Sequence, residues 1–419
     1  FYFIFFVILL LIFQAIYDWS GVPMDFIDES FASISEWIKD SLPAGAFTNL
    51  LAEGIIPGIG GVVIFIPQIA FLFFFLAILE EVGYMSRVVF LMDKLMRRFG
   101  LSGKSVVPLI SGTACAIPAV MATRNIESWK ERLITILVTP FTTCSARLPV
   151  YLIIIALVIP EGSLFGMSYQ ALTLMFLYIL GFVMAVGSAY ILHKILKMKS
   201  KNYFLIEIPD YKTPQLKNVA ITVLEKTKAF VFGAGQIILA ISILLWFLAS
   251  YGPGDNFNNA EEIVTEELGS INLTEAQLEQ RISSYKLEHS YIGIAGRSIE
   301  PIIQPLGYDW KIGIAIITSF AAREVFVGTL ATIYSVESEE EEPIKEKMRK
   351  EWDTKLGVPR YNLASGMSLL LFYAFAMQCM STLAIVKRET NSWKWPMYQF
   401  VVMSLIAYLA ALLAYQFLK

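Results

Sequence analysis

The sequence predicts an all-α polytopic membrane protein with about eight to nine helical passes, including two repeated gate segments with broken or re-entrant helices. Three observations carry this. Charge is scarce: of 419 residues 16% are charged and 56% hydrophobic, with a mean hydropathy of +0.60, against roughly a quarter charged in an average soluble domain. Apolar runs of about 18 residues or more recur, and at about 1.5 Å of rise per residue each crosses a hydrocarbon layer about 30 Å thick. Finally, one segment occurs twice, at an offset of 264 residues (115 to 379): Cys115 leads to Arg124 and Ser128-Trp129-Lys130, and Cys379 leads to Arg388 and Ser392-Trp393-Lys394. A duplicated segment among apolar helices points to a transporter built from repeats, with its substrate site where the repeats meet.

Taken in order, residues 1–61 hold a first transmembrane helix and an extracytoplasmic acidic loop. Phe1 to Tyr17 lacks a basic n-region and a small-residue cleavage site, so it reads as a membrane helix rather than a signal peptide. Its start inside an apolar run, on Phe rather than Met, leads us to expect a longer protein. Asp18 to Gly61 carries seven acidic residues against the single basic Lys39, which places it outside the cytoplasm. Residues 62–160 form the first gate repeat. Val62 to Leu79 spans, and Arg87, Lys94, Arg97, Arg98 and Lys104 behind it mark the cytoplasmic side. Tyr84 to Phe99 puts Met85, Val88, Val89, Met92 and Met96 on one face, which suits a helix lying on the membrane surface. Ser105 to Thr123 is apolar but interrupted by Pro108, Gly112 and Pro118, and Leu133 to Ile159 spans again.

Residues 161–251 supply two transmembrane helices, Tyr169 to Leu196 and Phe230 to Tyr251, joined by a basic cytoplasmic loop. Residues 252–310 form an extracytoplasmic acidic loop, with a helix from Thr274 to Leu287 opened by a Thr274-x-x-Gln277 capping box. The second gate repeat covers 311–395: a span from Ile312 to Val336, a solvated charged helix between Glu337 and Arg360, and a span from Ala364 to Val386. Residues 396–419 are the C-terminal transmembrane helix. Lys387, Arg388 and Lys394 ask for the cytoplasmic side while span counting puts them outside, a conflict that inverted repeats produce.

The candidate chemistry lies in the broken segments. Pro118 has no N–H, so the carbonyl of Ala114 loses its helical partner beside Cys115, and Pro149 is expected to do the same to Ser145 beside Cys144. Thiol and carbonyl together suit a divalent transition ion, since sulfur favours softer ions whereas Mg²⁺ and Ca²⁺ prefer oxygen. Cys379 is flanked by Met377, Gln378 and Met380. Taken singly, each cysteine reads better as a small buried apolar residue; recurrence reverses this for Cys115 and Cys379. The three cysteines show no paired spacing and are expected as thiols, not disulfides. Arg147, Arg323 and Glu324 lie within apolar spans, where each charge costs roughly 2.5 to 3.5 kcal/mol unless paired or wet, so they face the interior, as structural charges or in gating and coordination. Gly103-Lys104-Ser105 is no phosphate-binding loop, because Arg98 stands where its first glycine belongs. With only His193 and His289, a histidine metal site or general base has little support, and no nucleophile, base and oxyanion constellation marks an enzyme.

Gly83-Tyr84-Met85-Ser86-Arg87, the run from Gly112 to Arg124, Cys144-Ser145-Ala146-Arg147-Leu148-Pro149-Val150-Tyr151, Ala322-Arg323-Glu324-Val325-Phe326-Val327-Gly328-Thr329-Leu330 and Gln378-Cys379-Met380-Ser381-Thr382-Leu383 resemble, in order, the membrane region of the FeoB ferrous iron transporter family. The resemblance implies Fe²⁺ import across a bacterial cytoplasmic membrane, with Cys115, Cys144 and Cys379 as ion contacts, to which the residue types themselves add Met377, Met380 and Glu324 as further candidate ligands. It also implies an N-terminal GTP-binding domain, which these 419 residues lack, so that GTP would act only through that domain. The implied partners are Fe²⁺, membrane lipids, the GTP-binding domain, a small cytoplasmic FeoA-like accessory protein and further copies of the chain, with no nucleic acid. The alternative is a transporter of another divalent metal or of a small organic solute such as a nucleoside.

Overall fold

A computed structural model describes residues 2–43, 45–160, 162–164, 167–196, 211–254, 257, 259–268, 275–320, 323, 325–334, 348, 352–353, 358–359, 361–377 and 379–419. The expected all-α class is observed. Six helical stretches among the described residues are long and apolar enough to cross a membrane: Ala46–Glu81, Trp129–Val158, Tyr169–Ile195, Leu216–Ser250, Leu363–Thr390 and Lys394–Leu418. The described strands are two-residue pairs, Ser163–Leu164 with Met167–Ser168 and Trp352–Asp353 with Val358–Pro359.

Several expected loops are helical. The first helix runs without interruption from Tyr2 to Ser41, through the acidic stretch expected as a loop. Acidic residues make a segment wet, but a helix satisfies its own backbone in water as well as in lipid, so charge did not end it. Its inner face meets the next span, with the Trp19 ring 6.2 Å from Phe71 and 6.0 Å from Phe75. That span opens earlier than expected, with a π-helical turn at Leu50–Ile55 followed by Ile56–Val63 and Phe65–Glu81. The Tyr84–Met96 helix buries Val88, Val89 and Met96 and turns Asp93 inward, where it accepts from the Gly103 backbone N–H at 2.9 Å. In the stretch expected as an acidic loop, Ser290 caps a helix at Tyr291–Ile303 and Asp309 caps another at Trp310–Ser319. Glu275–His289 matches the helix expected there; its capping Thr274 lies outside the described residues, as does most of the solvated helix expected over Glu337 to Arg360.

The span expected over Ile312 to Val336 is two helices, Trp310–Ser319 and Val325–Ile333. This break exposes a repeat longer than the duplicated cysteine segment. At an offset of 207 (84 to 291), Tyr84–Met96 matches Tyr291–Ile303, the 3-10 turn Arg97–Phe99 matches Gln304–Leu306, and the left-handed Gly100 (φ 76°) matches Gly307 (φ 83°). Both helices end alike, with Leu101 N–H bonded to Met96 O at 3.2 Å and Tyr308 N–H to Ile303 O at 3.4 Å, a closure that needs a left-handed residue and so favours glycine. A broken helix follows in each copy: Val106–Ala114 and Ala116–Ala122 in the first, Trp310–Ser319 and Val325–Ile333 in the second. A second broken helix then ends its non-helical stretch on a cysteine in both copies, at an offset of 235 (144 to 379): Trp129–Val138 and Leu148–Val158 around Cys144, Leu363–Phe375 and Met380–Thr390 around Cys379.

The register therefore pairs Cys379 with Cys144, which corrects the 264-residue pairing with Cys115. The Ser-Trp-Lys match behind that pairing marks where two later helices start, at Trp129 and Lys394, and helix starts use a small set of residue types wherever they occur.

The chain forms two compact units, residues 1–145, 180–242 and 381–397 in one, and 146–179, 243–380 and 398–419 in the other. The first unit has a core of Val62, Ile69, Phe73, Ile117, Val120, Met121, Ile136, Phe230, Ile385 and Val386. In the second, Ile292, Ile314 and Ile333 pack together.

Candidate functional site

In the first unit the site is built on the break at Cys115. Its backbone is extended, φ −154° and ψ 132°, between Val106–Ala114 and Ala116–Ala122. Pro118 falls in the first turn of the second half-helix, where a missing N–H costs nothing, and the Ala114 carbonyl is left without a helical donor as expected. It accepts instead from Ser145 Oγ at 2.9 Å, and Ser145 Oγ accepts from Gln68 Nε2 at 3.0 Å. Three segments thus converge, bringing the neighbours of Cys115 and Cys144 together. Their close approach requires Gly112, since a Cβ there would sit 2.4 Å from Thr142 Oγ1 and 3.1 Å from a Thr139 methyl. Cys115 itself is half-buried against the apolar core. Pro149 corrects the second half of the expectation: it stands in the first turn of Leu148–Val158, after a 3-10 turn at Ser145–Arg147, so it starts a helix instead of breaking one.

In the second unit the matching stretch is Ala376 to Cys379. Buried Arg323, in the turn that interrupts the preceding helix pair, donates from Nη2 to Ala376 O at 2.9 Å and from Nη1 to Tyr373 O at 3.4 Å. These are carbonyls at the C-terminal end of Leu363–Phe375, which lack helical donors and carry the negative end of the helix dipole. The Met380 N–H donates to Phe320 O at 3.2 Å, so the two breaks of this repeat are joined by backbone as well as by Arg323. Tyr373 Oη lies 3.1 Å from Ser319 Oγ, and Thr318 Oγ1 lies 2.8 Å from Thr329 Oγ1. Met377 is buried, and Cys379 and Met380 are partly buried. Arg147 is fully buried at the entry to Leu148–Val158. Glu324 and Gln378 lie outside the described residues.

None of the three cysteines is in a disulfide. Among the described residues no three His, Cys, Asp or Glu side chains converge on a point where they would hold a metal ion. One strong polar cluster escaped the sequence reading. Glu389, almost fully buried in the first unit, accepts from Arg124 Nε at 2.9 Å and from Arg132 Nη2 at 2.8 Å. The hydrogen bond to Glu389 raises the already high pKa of Arg124. Arg124 belongs to the repeated motif, whereas nothing in the sequence around Glu389 connects it to a residue 265 positions away. Gln68 was also missed, although it is the one polar side chain from Phe65 to Leu79.

Comparison with known proteins adds the identity of the fold. The family model described as "Nucleoside recognition" (Gate) matches residues 62–158 and 231–393, and that described as "Ferrous iron transport protein B C terminus" matches 174–226. The chain is 47% identical over 411 residues to a protein of Leptospira interrogans named Fe(2+) transporter FeoB, covering 98% of this chain and 56% of that protein. It is 34% identical over 431 residues to a Porphyromonas gingivalis protein named Fe(2+) transport protein A/Fe(2+) transporter FeoB fusion protein, covering 99% of this chain and 49% of that protein. A Helicobacter pylori Fe(2+) transporter FeoB is 32% identical over 99% of this chain and 64% of its own length. No solved structure matches. With a Gate match over more than half of its length and iron-transporter relatives along nearly all of it, the chain belongs to the FeoB ferrous iron transporter family and corresponds to the membrane part of its members.

Proposed function

We propose that the chain is the permease part of a ferrous iron importer of a bacterial cytoplasmic membrane. The carrying observation is that Cys144 and Cys379 end equivalent non-helical stretches of a repeat, with Ser145, next to Cys144, bonded to the Ala114 carbonyl and Arg323 bonded to the Ala376 carbonyl three residues before Cys379. Fe²⁺ sheds part of its water at such breaks, with Cys115 and Cys144 as its contacts in the first unit, Cys379, Met377 and Met380 as its contacts in the second, and Glu324 as a further ligand by its residue type. The contacts stay weak enough to release the ion, as conduction requires. In this reading the chain performs no covalent chemistry. GTP acts through a GTP-binding domain outside these residues, and an FeoA-like protein is the accessory partner, an assignment supported by the name of the Porphyromonas fusion protein.

The test is uptake of radiolabelled Fe²⁺ by cells expressing the full-length protein, wild type against Cys115→Ser, Cys144→Ser and Cys379→Ser at matched membrane levels. Loss of one ligand is expected to lower uptake by about tenfold, as ligand-shell changes do in metal sites. Normal uptake in all three variants would move the path away from the thiols. The description of the Gate family and the presence of Gln68 favour one second reading, transport of a nucleoside-like solute. Uptake of labelled uridine without uptake of iron would establish it.

A further inference from the structure

The hydrogen-bond chain from Gln68 through Ser145 to the Ala114 carbonyl has a consequence for which ion is carried. Gln68 stands alone among fourteen apolar residues between Phe65 and Leu79, and a polar side chain at such depth is costly unless it has a partner or a task. Its partner is not backbone of its own helix but Ser145, 77 positions away and 3.0 Å off. Ser145 in turn holds the one carbonyl that Pro118 deprives of a helical donor. Gln68, Ser145 and the two neighbouring cysteines are all only partly buried, so the cluster is not sealed into the core. An amide, a hydroxyl and a carbonyl are therefore linked in one hydrogen-bond chain between segments that carry Cys115 and Cys144, with the Ser145 and Ala114 oxygens 2.9 Å apart.

Thiols alone would serve iron poorly. Zn²⁺ lies above Fe²⁺ in the general order of divalent affinities, and sulfur ligands widen that gap, whereas carbonyl and hydroxyl oxygens narrow it. We infer that Gln68, Ser145 and the Ala114 carbonyl form an oxygen contact for the partly dehydrated ion beside Cys115 and Cys144, and that this contact sets the preference for Fe²⁺ over Zn²⁺. The inference rests on the iron-transport reading above. Ser145 both points the carbonyl and offers its own lone pair, and Gln68 fixes the serine while its amide oxygen supplies the third donor.

The experiment measures labelled Fe²⁺ and Zn²⁺ uptake in the same cells expressing the full-length protein, and reads the iron-to-zinc ratio rather than the total. Ser145→Cys, which keeps size and replaces oxygen by sulfur, and Gln68→Leu are expected to lower that ratio by about tenfold, the scale on which ligand-orienting groups act in metal sites. Ser145→Thr, which retains the hydroxyl, is expected to keep it within about twofold of wild type. If Ser145→Cys reaches the membrane at wild-type level and leaves the ratio unchanged, the oxygen contact does not exist. A lowered total with an unchanged ratio in all three variants would also overturn it, reducing the cluster to a structural hydrogen bond. Absence of iron uptake in the wild type is a separate result, which removes the transport reading together with this one.

Discussion

At the scale of single residues, small side chains and buried charges set what the broken helices tolerate. Gly112 is a tight point, because a methyl there meets Thr142 Oγ1 and Thr139 at once. Gly112→Ala is expected to cost about 1–3 kcal/mol, the usual penalty for overpacking, read as a lower unfolding midpoint in detergent. Adding Thr142→Ser, which keeps the hydroxyl, should recover little, whereas Thr142→Ala should recover part of the loss. No recovery with Thr142→Ala would show that the clash lies elsewhere. Glu389 is the opposite case, a charge that two partners justify. Arg124 is about half exposed and Arg132 partly so, with side-chain exposures of 44% and 23%, while Glu389 keeps 3%. Removing a buried partner costs about 3–5 kcal/mol, but solvent screening of the two arginines reduces this, so Glu389→Gln is expected to lose about 1–3 kcal/mol. An unchanged unfolding midpoint would mean that water serves these arginines as well as the carboxylate does.

At the scale of elements, the four broken helices share a problem, which is how to end a helix at membrane depth without stranding its last carbonyls. An unmet buried carbonyl costs about 1–3 kcal/mol, and the repeats meet it differently. The first uses a neutral hydroxyl, Ser145, on the Ala114 carbonyl; the second uses the Arg323 guanidinium on Tyr373 and Ala376. A guanidinium offers several donors in a fixed fork, which a lysine ammonium does not reproduce. Arg323→Lys is therefore expected to loosen the end of Leu363–Phe375, seen as faster amide hydrogen exchange confined to residues near 373–380. Exchange that stays at the wild-type rate would show that the Met380 to Phe320 backbone bond suffices alone. The two repeats are thus alike in backbone, and each buries an arginine near its cysteine, Arg147 in the first and Arg323 in the second.

At the scale of the whole molecule, the repeat register makes a claim about the membrane. The turn at Arg97–Phe99 is flanked by basic residues, whereas the equivalent turn at Gln304–Leu306 follows an acidic stretch. By the positive-inside rule the first turn is expected on the cytoplasmic side and the second outside it, as inverted repeats would require. In a background with all three cysteines replaced, Arg98→Cys and Gln304→Cys are expected to react with an impermeant thiol reagent from opposite faces of the membrane. Labelling of both from one face would exclude inversion. The chain passes from one compact unit to the other immediately after Ser145 and again after Met380, so Cys144 and Cys379 each stand within two residues of such a passage. Cys144 and Cys379 are equivalent by position, and their serine variants should resemble each other in iron uptake more than either resembles Cys115→Ser.

Composition and hydrophobic run length by themselves determined the membrane class and the approximate course of most spans, because crossing lipid demands long apolar helices whatever the packing. The freed carbonyl at Ala114 was also legible from Pro118 alone, since a missing N–H is a local covalent fact. Only the tertiary structure decided what meets that carbonyl, because Gln68, Ala114 and Ser145 are distant in the chain and hydrogen-bonded in space. The same holds for Glu389 with Arg124, separated by 265 positions. It also decided the register, turning a match of five residue types into a pairing of Cys144 with Cys379. Repeats diverge in side chains while keeping backbone geometry, and two left-handed glycines closing two helices of equal length are recognisable only once the backbone is folded.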